Sequence, residues 1–328
     1  MFKNRISKIL FLWSGLILIV ILLPFVLPSY FIHVLIMILF YGYLGTSWNI
    51  LGGYAGQFSF GHAAFFGIGA YASTLAFVNW NITPWIGMVF GGLLGMLLGL
   101  LIGSLCFHYG LRGPYFALAT LAFSELLRLI SLNLDLTGKA MGILIPLKGD
   151  APLYFQHESK IFYYFVILLM FIGALWITRR IDGGKIGDYF SAIREDEDSA
   201  EAIGVNTFAY KLLAILISGF LTALGGTFYA QYFLYIDPAI TFGVGNSIEI
   251  FLRPIVGGMG TVYGPIIGAL VLGPLGEVTR EMLGGYQGVH LMIYGAILVS
   301  VIIFLPNGIY GWFRSLKKRR KDQKLCHL

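Results

Sequence analysis

Residues 84–107 read PWIGMVFGGLLGMLLGLLIGSLCF, a run without one charged side chain. A bilayer core about 30 Å thick needs about 20 apolar residues to be crossed by one helix, so this stretch is long enough to span. Lipid offers the backbone no water, which leaves the helix and the closed barrel as the only spanning structures. The alternating pattern of barrel strands is absent, and the stretch reads as a helix. The rest of the chain has the same character. Of its 328 residues, 58% are hydrophobic and 12% are charged, there are 43 glycines, and the mean hydropathy is +0.81. The fold class expected is an all-α polytopic membrane protein. Besides 84–107, candidate spans are 9–28, 30–51, 61–79, 114–133, 161–178, 208–235, 248–260, 264–283 and 289–312. The segment 248–260 is short and suits a half-helix or part of a longer tilted one. The expectation is about ten transmembrane helices, with a range of eight to ten.

The basic residues give a direction. MFKNRISK precedes an apolar run from Ile9 to Leu27 with no small-residue cleavage site after it, and reads as an uncleaved first helix. With the N-terminus inside, ten spans put three Lys and Arg of the head, Arg112, five of the loop following Thr178 and seven of the tail on one side. That is 16 of the 22. The positive-inside rule makes this side cytoplasmic, with both termini there. The domains expected are a single transmembrane domain over 1–328, a cytoplasmic loop at 179–210, an outer loop at 134–160 and a basic cytoplasmic tail at 313–328. The tail, KKRRK, is most simply a lipid-headgroup anchor, with no nucleic-acid role. Cys106 and Cys326 form no disulfide framework and read as inert thiols.

Against this background SAIREDEDSAEAIGVN, residues 191–206, is unusual, because six of the eight residues from Arg194 to Glu201 are charged. Glu195, Asp196, Glu197 and Asp198 suit a helix N-terminus, and Gly204 suits the left-handed residue after a helix end. A helix of two or three turns fits between Arg194 and Ile203, with Asn206 or Thr207 capping the next span. Ala200 and Ile203 would form a small apolar patch rimmed by Glu197 and Glu201. So short a helix needs a partner surface, either its own membrane domain or a separate soluble subunit.

The run Glu201-Ala202-Ile203-Gly204, after a charged lead-in and before a membrane helix, resembles the coupling loop of ATP-binding-cassette importer permeases. Three further segments, GGYAGQFSFGHAAFFGIGAY from Gly52, RGPYFALATLAFSELLR from Arg112 and RPIVGGMGTVYGPIIGA from Arg253, resemble the LivM-type permease subunits of branched-chain amino acid importers. The likeness covers about residues 40–310. It implies the importer permease fold, a LivH-like second permease, two ATPase subunits that bind ATP and magnesium, a periplasmic binding protein and a place in the bacterial inner membrane. It also implies that Arg194, Glu195, Asp196, Ser199, Ala200, Glu201, Ala202 and Gly204 form the ATPase-coupling loop. The loop TGKAMGILIP, 137–146, departs from the family pattern, which has a second glycine where Lys139 stands.

A translocation pathway is expected near Gly52, Gly53, Gln57, Ser59, Gly61, His62, Gly257 and Gly258. Glycine-rich breaks at membrane depth are tolerated where protein or a water-filled cavity covers them. Close helix packing with no solute nearby accounts for the same glycines equally well, and His62 reads more readily as a structural residue than as a ligand. Ionisable residues inside spans need partners, and Glu125 with Arg128, Glu249 with Arg253 and Glu277 with Arg280 have the spacing to pair on one helix face. Asp237-Pro238 is placed to cap or break a helix near the outer mouth. Leu51–Gln57 echoes Leu224–Gln231, consistent with an inverted repeat in which spans two to five correspond to seven to ten. The chain has no GxxxxGK[ST] phosphate loop, no metal-ligand cluster and no nucleophile with a base, so it reads as a non-catalytic permease without a cofactor of its own. Within the same family, urea or short amides are the alternative solutes. Outside it, a stand-alone secondary transporter and, further off, a membrane-embedded enzyme remain open.

Overall fold

The computed structural model describes residues 20–283, with backbone alone over 277–283, and some residues between 292 and 312, including 308–312. Spans 9–28 and 289–312, the tail and the Glu277–Arg280 side chains lie wholly or largely outside the described residues. Among those described, seven helices are long and apolar enough to cross a membrane. The chain is an all-α, multi-pass membrane protein.

The helices are α1 (Ser29–Asn49), α2 (His62–Trp80), α3 (Pro84–His108), α4 (Pro114–Asn133), α5 (Lys160–Asp182), α6 (Lys185–Glu195), α7 (Glu197–Ala202), α8 (Thr207–Phe233), α9 (Pro238–Thr241), α10 (Val244–Gly257) and α11 (Gly264–Leu283). Both α3 and α4 begin on proline, whose missing N–H costs nothing in a first turn. Helix α1 runs on into a π-helical turn, Ile50–Tyr54.

The longest helix, α8, packs along α3 and α2. Glycines at 87, 91, 95, 99 and 103 recur every fourth residue on α3, which places them on one face. A Cβ on Gly95 would lie 2.6 Å from the Ala223 Cβ and 3.0 Å from the Gly219 carbonyl oxygen, and one on Gly91 would lie 3.0 Å from the Gly69 carbonyl. The stripe lets three backbones approach to distances that side chains would prevent, which is how helices gain dispersion energy when lipid removes the hydrophobic drive. This spacing is in the sequence, in the very run that marks the fold, and reading for apolarity alone passes over it. Gly69 packs against the backbone of Ala223.

The segment expected at 248–260 is part of a broken span. A four-residue α9, capped by the Asp237 carboxylate accepting from the Ile240 amide at 2.8 Å, precedes a short break and the 14-residue α10. Together Pro238–Gly257 reach the length of a span that α10 alone lacks. At that end of the bundle β1 (Ile143–Leu144) pairs antiparallel with β2 (Tyr235–Ile236). Lys139 there has φ +53, the left-handed region that favours glycine, and its ammonium pairs with Asp135 at 2.6 Å.

Candidate functional site

The charged stretch folds as two short helices, where one was expected. Helix α6 ends at Glu195, so Arg194 and Glu195 belong to it and the helix after them starts at Glu197, not at Arg194. The break is at Asp196, whose extended backbone lets its carboxylate accept from the Ser199 amide at 2.6 Å. A carboxylate outcompetes a continued helical turn by capping the next one. Those hydrogen bonds to Ser199 hold the Asp196 carboxyl below its ordinary value.

Helix α7 closes with paired hydrogen bonds, from the Gly204 amide to the Glu201 carbonyl at 2.9 Å and from the Val205 amide to the Ala200 carbonyl at 3.0 Å. Gly204 has φ +91, as a helix-ending glycine requires. The expected Ala200–Ile203 patch is split. Ala200 is buried against Ile193 and Val205, while Ile203 is 76% exposed, because the Schellman closure folds Val205 back over Ala200. Asn206, accepting from the Ala209 amide at 3.0 Å, is the cap of α8.

One acid of the stretch, Glu197, is turned inward, while the other four stay exposed. Glu197 takes an ion pair from Lys211 of α8, whose side chain is 3% exposed, and one at 3.2 Å from Arg112 of the α3–α4 connection. Arg112 also donates to Asp198 at 2.8 Å, and Asp198 and then Glu197 hold its guanidinium above its ordinary value. Thr207 donates to Glu201. Of the two partner surfaces foreseen for this helix, the chain's own membrane bundle is one that it uses. Glu195, Asp196, Ser199, Glu201, Ala202, Ile203 and Gly204 remain on the outside.

The glycine segments expected to form a pathway come together at this same end. Asn49, a fully buried residue that sequence reading did not single out, donates to the Thr261 carbonyl and accepts from the Gly260 amide, both at 2.9 Å. Gly53 lies against the Gly260 amide, and Gly52 against the Trp48 indole. Arg194 donates to the Gly53 carbonyl at 3.0 Å, and its stem packs on Gly56, which has φ +69. One guanidinium thus joins the charged hairpin to the glycine node.

Ser59, Gly61 and His62 are packed in the same region. The two ring nitrogens of His62 meet Ser59 Oγ at 3.1 Å and Ser218 Oγ at 2.7 Å, and Ser218 donates to the Ser47 carbonyl. The imidazole is satisfied on both sides, which agrees with a structural reading. Gln57 donates to the Ala55 carbonyl at 3.3 Å, and its Oε1 has no partner among the described residues. Gly257 packs on the Gly264 carbonyl, so the node is closely packed.

The two described ion pairs form and differ sharply in setting. Arg253 is 1% exposed, reaches the Glu249 carboxylate at 3.4 Å, and lies 3.8 Å over the Tyr41 ring. Arg128 makes a two-pronged bond to Glu125 at 2.5 and 2.9 Å, with side chains 26% and 38% exposed. Among the described residues no group of three His, Cys, Asp or Glu comes together as a metal site.

The family described as "Branched-chain amino acid transport system / permease component" matches residues 30–302. The chain is 27% identical to the high-affinity branched-chain amino acid transport system permease protein LivM of Salmonella typhimurium, covering 98% of this chain and 79% of the relative. It is 26% identical to LivM of Escherichia coli, covering 93% and 76%. A LivH permease of Salmonella typhimurium matches at 28% identity over 44% of this chain and 46% of its own length. No solved structure matches the chain.

Proposed function

Since the chain belongs to the family of branched-chain amino acid transport system permease components, we propose that it forms the translocation pathway of an ATP-driven importer of leucine, isoleucine and valine. Relatives named LivM extend over nearly its whole length, and one named LivH over less than half. The assembly proposed contains this chain, a LivH-like permease, two ATPase subunits and a periplasmic binding protein that delivers the solute. The chain sits in the inner membrane with ten spans and both termini in the cytoplasm, and spans two to five and seven to ten form an inverted repeat.

The observation that carries the mechanism is the bond from Arg194 to the Gly53 carbonyl. Work done on an exposed hairpin reaches a membrane pathway only through a physical connection between two bistable parts. Closure of the ATPases displaces α6 and α7, Arg194 carries that displacement to the Gly53–Gly260 node, and Lys211 carries it through Glu197 into α8. The node then moves between outward and inward access. No chemistry is asked of this chain. ATP and magnesium act on the partner ATPases.

The test uses the complete transporter in proteoliposomes with its binding protein, measuring ATP hydrolysis and labelled leucine uptake together. Arg194→Ala and Gly204→Val should assemble with the ATPases and hydrolyse ATP, with uptake per ATP reduced about tenfold or more. Normal uptake per ATP in both variants refutes the coupling route. Competition by isoleucine and valine, with none by urea or acetamide, tests the solute class.

A further inference from the structure

Helix α4 presents a surface to which no role has been assigned. It is the least buried of the seven described spans, with α5 next. Its inner stripe is Phe116, Ala117, Thr120, Ser124 and Ser131. The opposite face carries Leu118, Leu126 and Leu129, 60%, 52% and 48% exposed, and on its flank the Glu125–Arg128 pair.

Exposed leucines alone would say only that lipid is near. The ion pair changes the conclusion. Glu125 is the twelfth residue of a twenty-residue helix, so at 1.5 Å per residue it sits about 16 Å from one end and about 12 Å from the other. That is close to the middle of a hydrocarbon core about 30 Å thick. A glutamate side chain is too short to reach either interface, and it holds Arg128 by two hydrogen bonds. An ion pair turned toward acyl chains at that depth is costly, and membrane proteins turn such groups toward protein or a water-filled cavity. This chain obeys the rule at the other described intramembrane pair, sealing Glu249 and Arg253 inside, 7% and 1% exposed. Its neighbour α3 offers the contrast, since its mid-span exposed side chains are Leu93, Leu97, Leu100 and Leu101.

A soluble partner cannot reach the middle of a membrane, so a protein surface that covers Glu125 is itself membrane-embedded. We infer that the outward face of α4, around Leu118, Ala122, Glu125 and Leu129, is the surface on which a second, distinct permease chain packs, with the ion pair as the polar part of the contact. The small Ala122 beside the pair lets a partner helix come close. This rests on the importer reading, which supplies the second permease.

The experiment expresses the complete transporter with Cys106→Ser and Cys326→Ser, and adds single cysteines by Ala122→Cys and Leu129→Cys on α4 and by Leu97→Cys on α3 as a lipid-facing control. Benzophenone maleimide is attached in native membranes, photolysed, and the adducts identified by mass spectrometry, while ATPase co-purification is followed separately. Adducts from positions 122 and 129 to a second permease, with position 97 labelling lipid alone, are the expected result. Lipid adducts alone from 122 and 129 overturn the inference, and so do adducts to another copy of this chain. Loss of ATPase co-purification from the native chain instead strikes the importer reading. A second measurement covers assembly: Glu125→Leu with Arg128→Leu should lower co-purified second permease about tenfold while the chain stays monodisperse, and undiminished recovery counts against the surface.

Discussion

Glu197 shows how a surface-looking acid becomes a structural one. Its partner Lys211 is almost wholly buried, so removing the carboxylate strands an ammonium away from water. Breaking one half of a buried pair costs about 3–5 kcal/mol, whereas replacing both halves by apolar groups of similar volume is near neutral. Glu197→Ala should therefore sharply lower the unfolding temperature in detergent, and Glu197→Leu combined with Lys211→Met should recover most of it. Equal losses in the two variants would deny the pairing. Asp196 acts through its charge in a different way. Its folded pKa is depressed, so its capping contribution is fully present above the ordinary aspartate value and fades as pH falls through the lower folded value. Hydrogen exchange at the Ser199 amide should be protected at neutral pH and lose protection in that acid window, and Asp196→Ala should remove the pH dependence.

At the scale of elements the glycines separate into two kinds. Gly95 sits in the α3 stripe with Ala223 and Gly219 against it, and a side chain there forces α3 away from α8. Gly95→Leu should cost about 1–3 kcal/mol or more, seen as a lower thermal midpoint. Gly173 is inside α5 with no heavy atom within 4 Å of where a Cβ would be. Gly173→Ala should raise stability by up to about 1 kcal/mol, through the backbone entropy that glycine alone forfeits. A midpoint that falls in both variants, or in neither, would show that the stripe is not what sets the helix spacing. Both residues are glycines in apolar runs, so only spacing along the helix distinguishes them before the fold is known.

At the scale of the molecule, Asn49 links segments more than two hundred positions apart. Asn49→Leu leaves the Gly260 amide and the Thr261 carbonyl without partners, a loss on the order of 2–3 kcal/mol, and should speed hydrogen exchange through residues 258–261 ahead of the rest of the bundle. Uniform exchange in the variant would deny Asn49 that role. Apolar runs of spanning length, set by bilayer thickness and backbone satisfaction, made the all-α membrane fold legible, and with it the positions of most described spans to within a few residues, the exceptions being the broken span Pro238–Gly257 and the helix Lys185–Glu195. The spacings of the two described ion pairs, the Gly204 helix end and a cap at Asn206 or Thr207 were equally legible, because each is a local matter of three or four positions. Even within one helical turn the break at Asp196 and the split of Ala200 from Ile203 were not read from the sequence. The inward turn of Glu197 toward Lys211 and Arg112, the bond from Arg194 to Gly53, the Asn49 clasp and the contrast between a sealed and an exposed ion pair depend on which helices pack together. Packing of that kind is decided by backbone approach across the whole bundle, and only the tertiary structure supplies it.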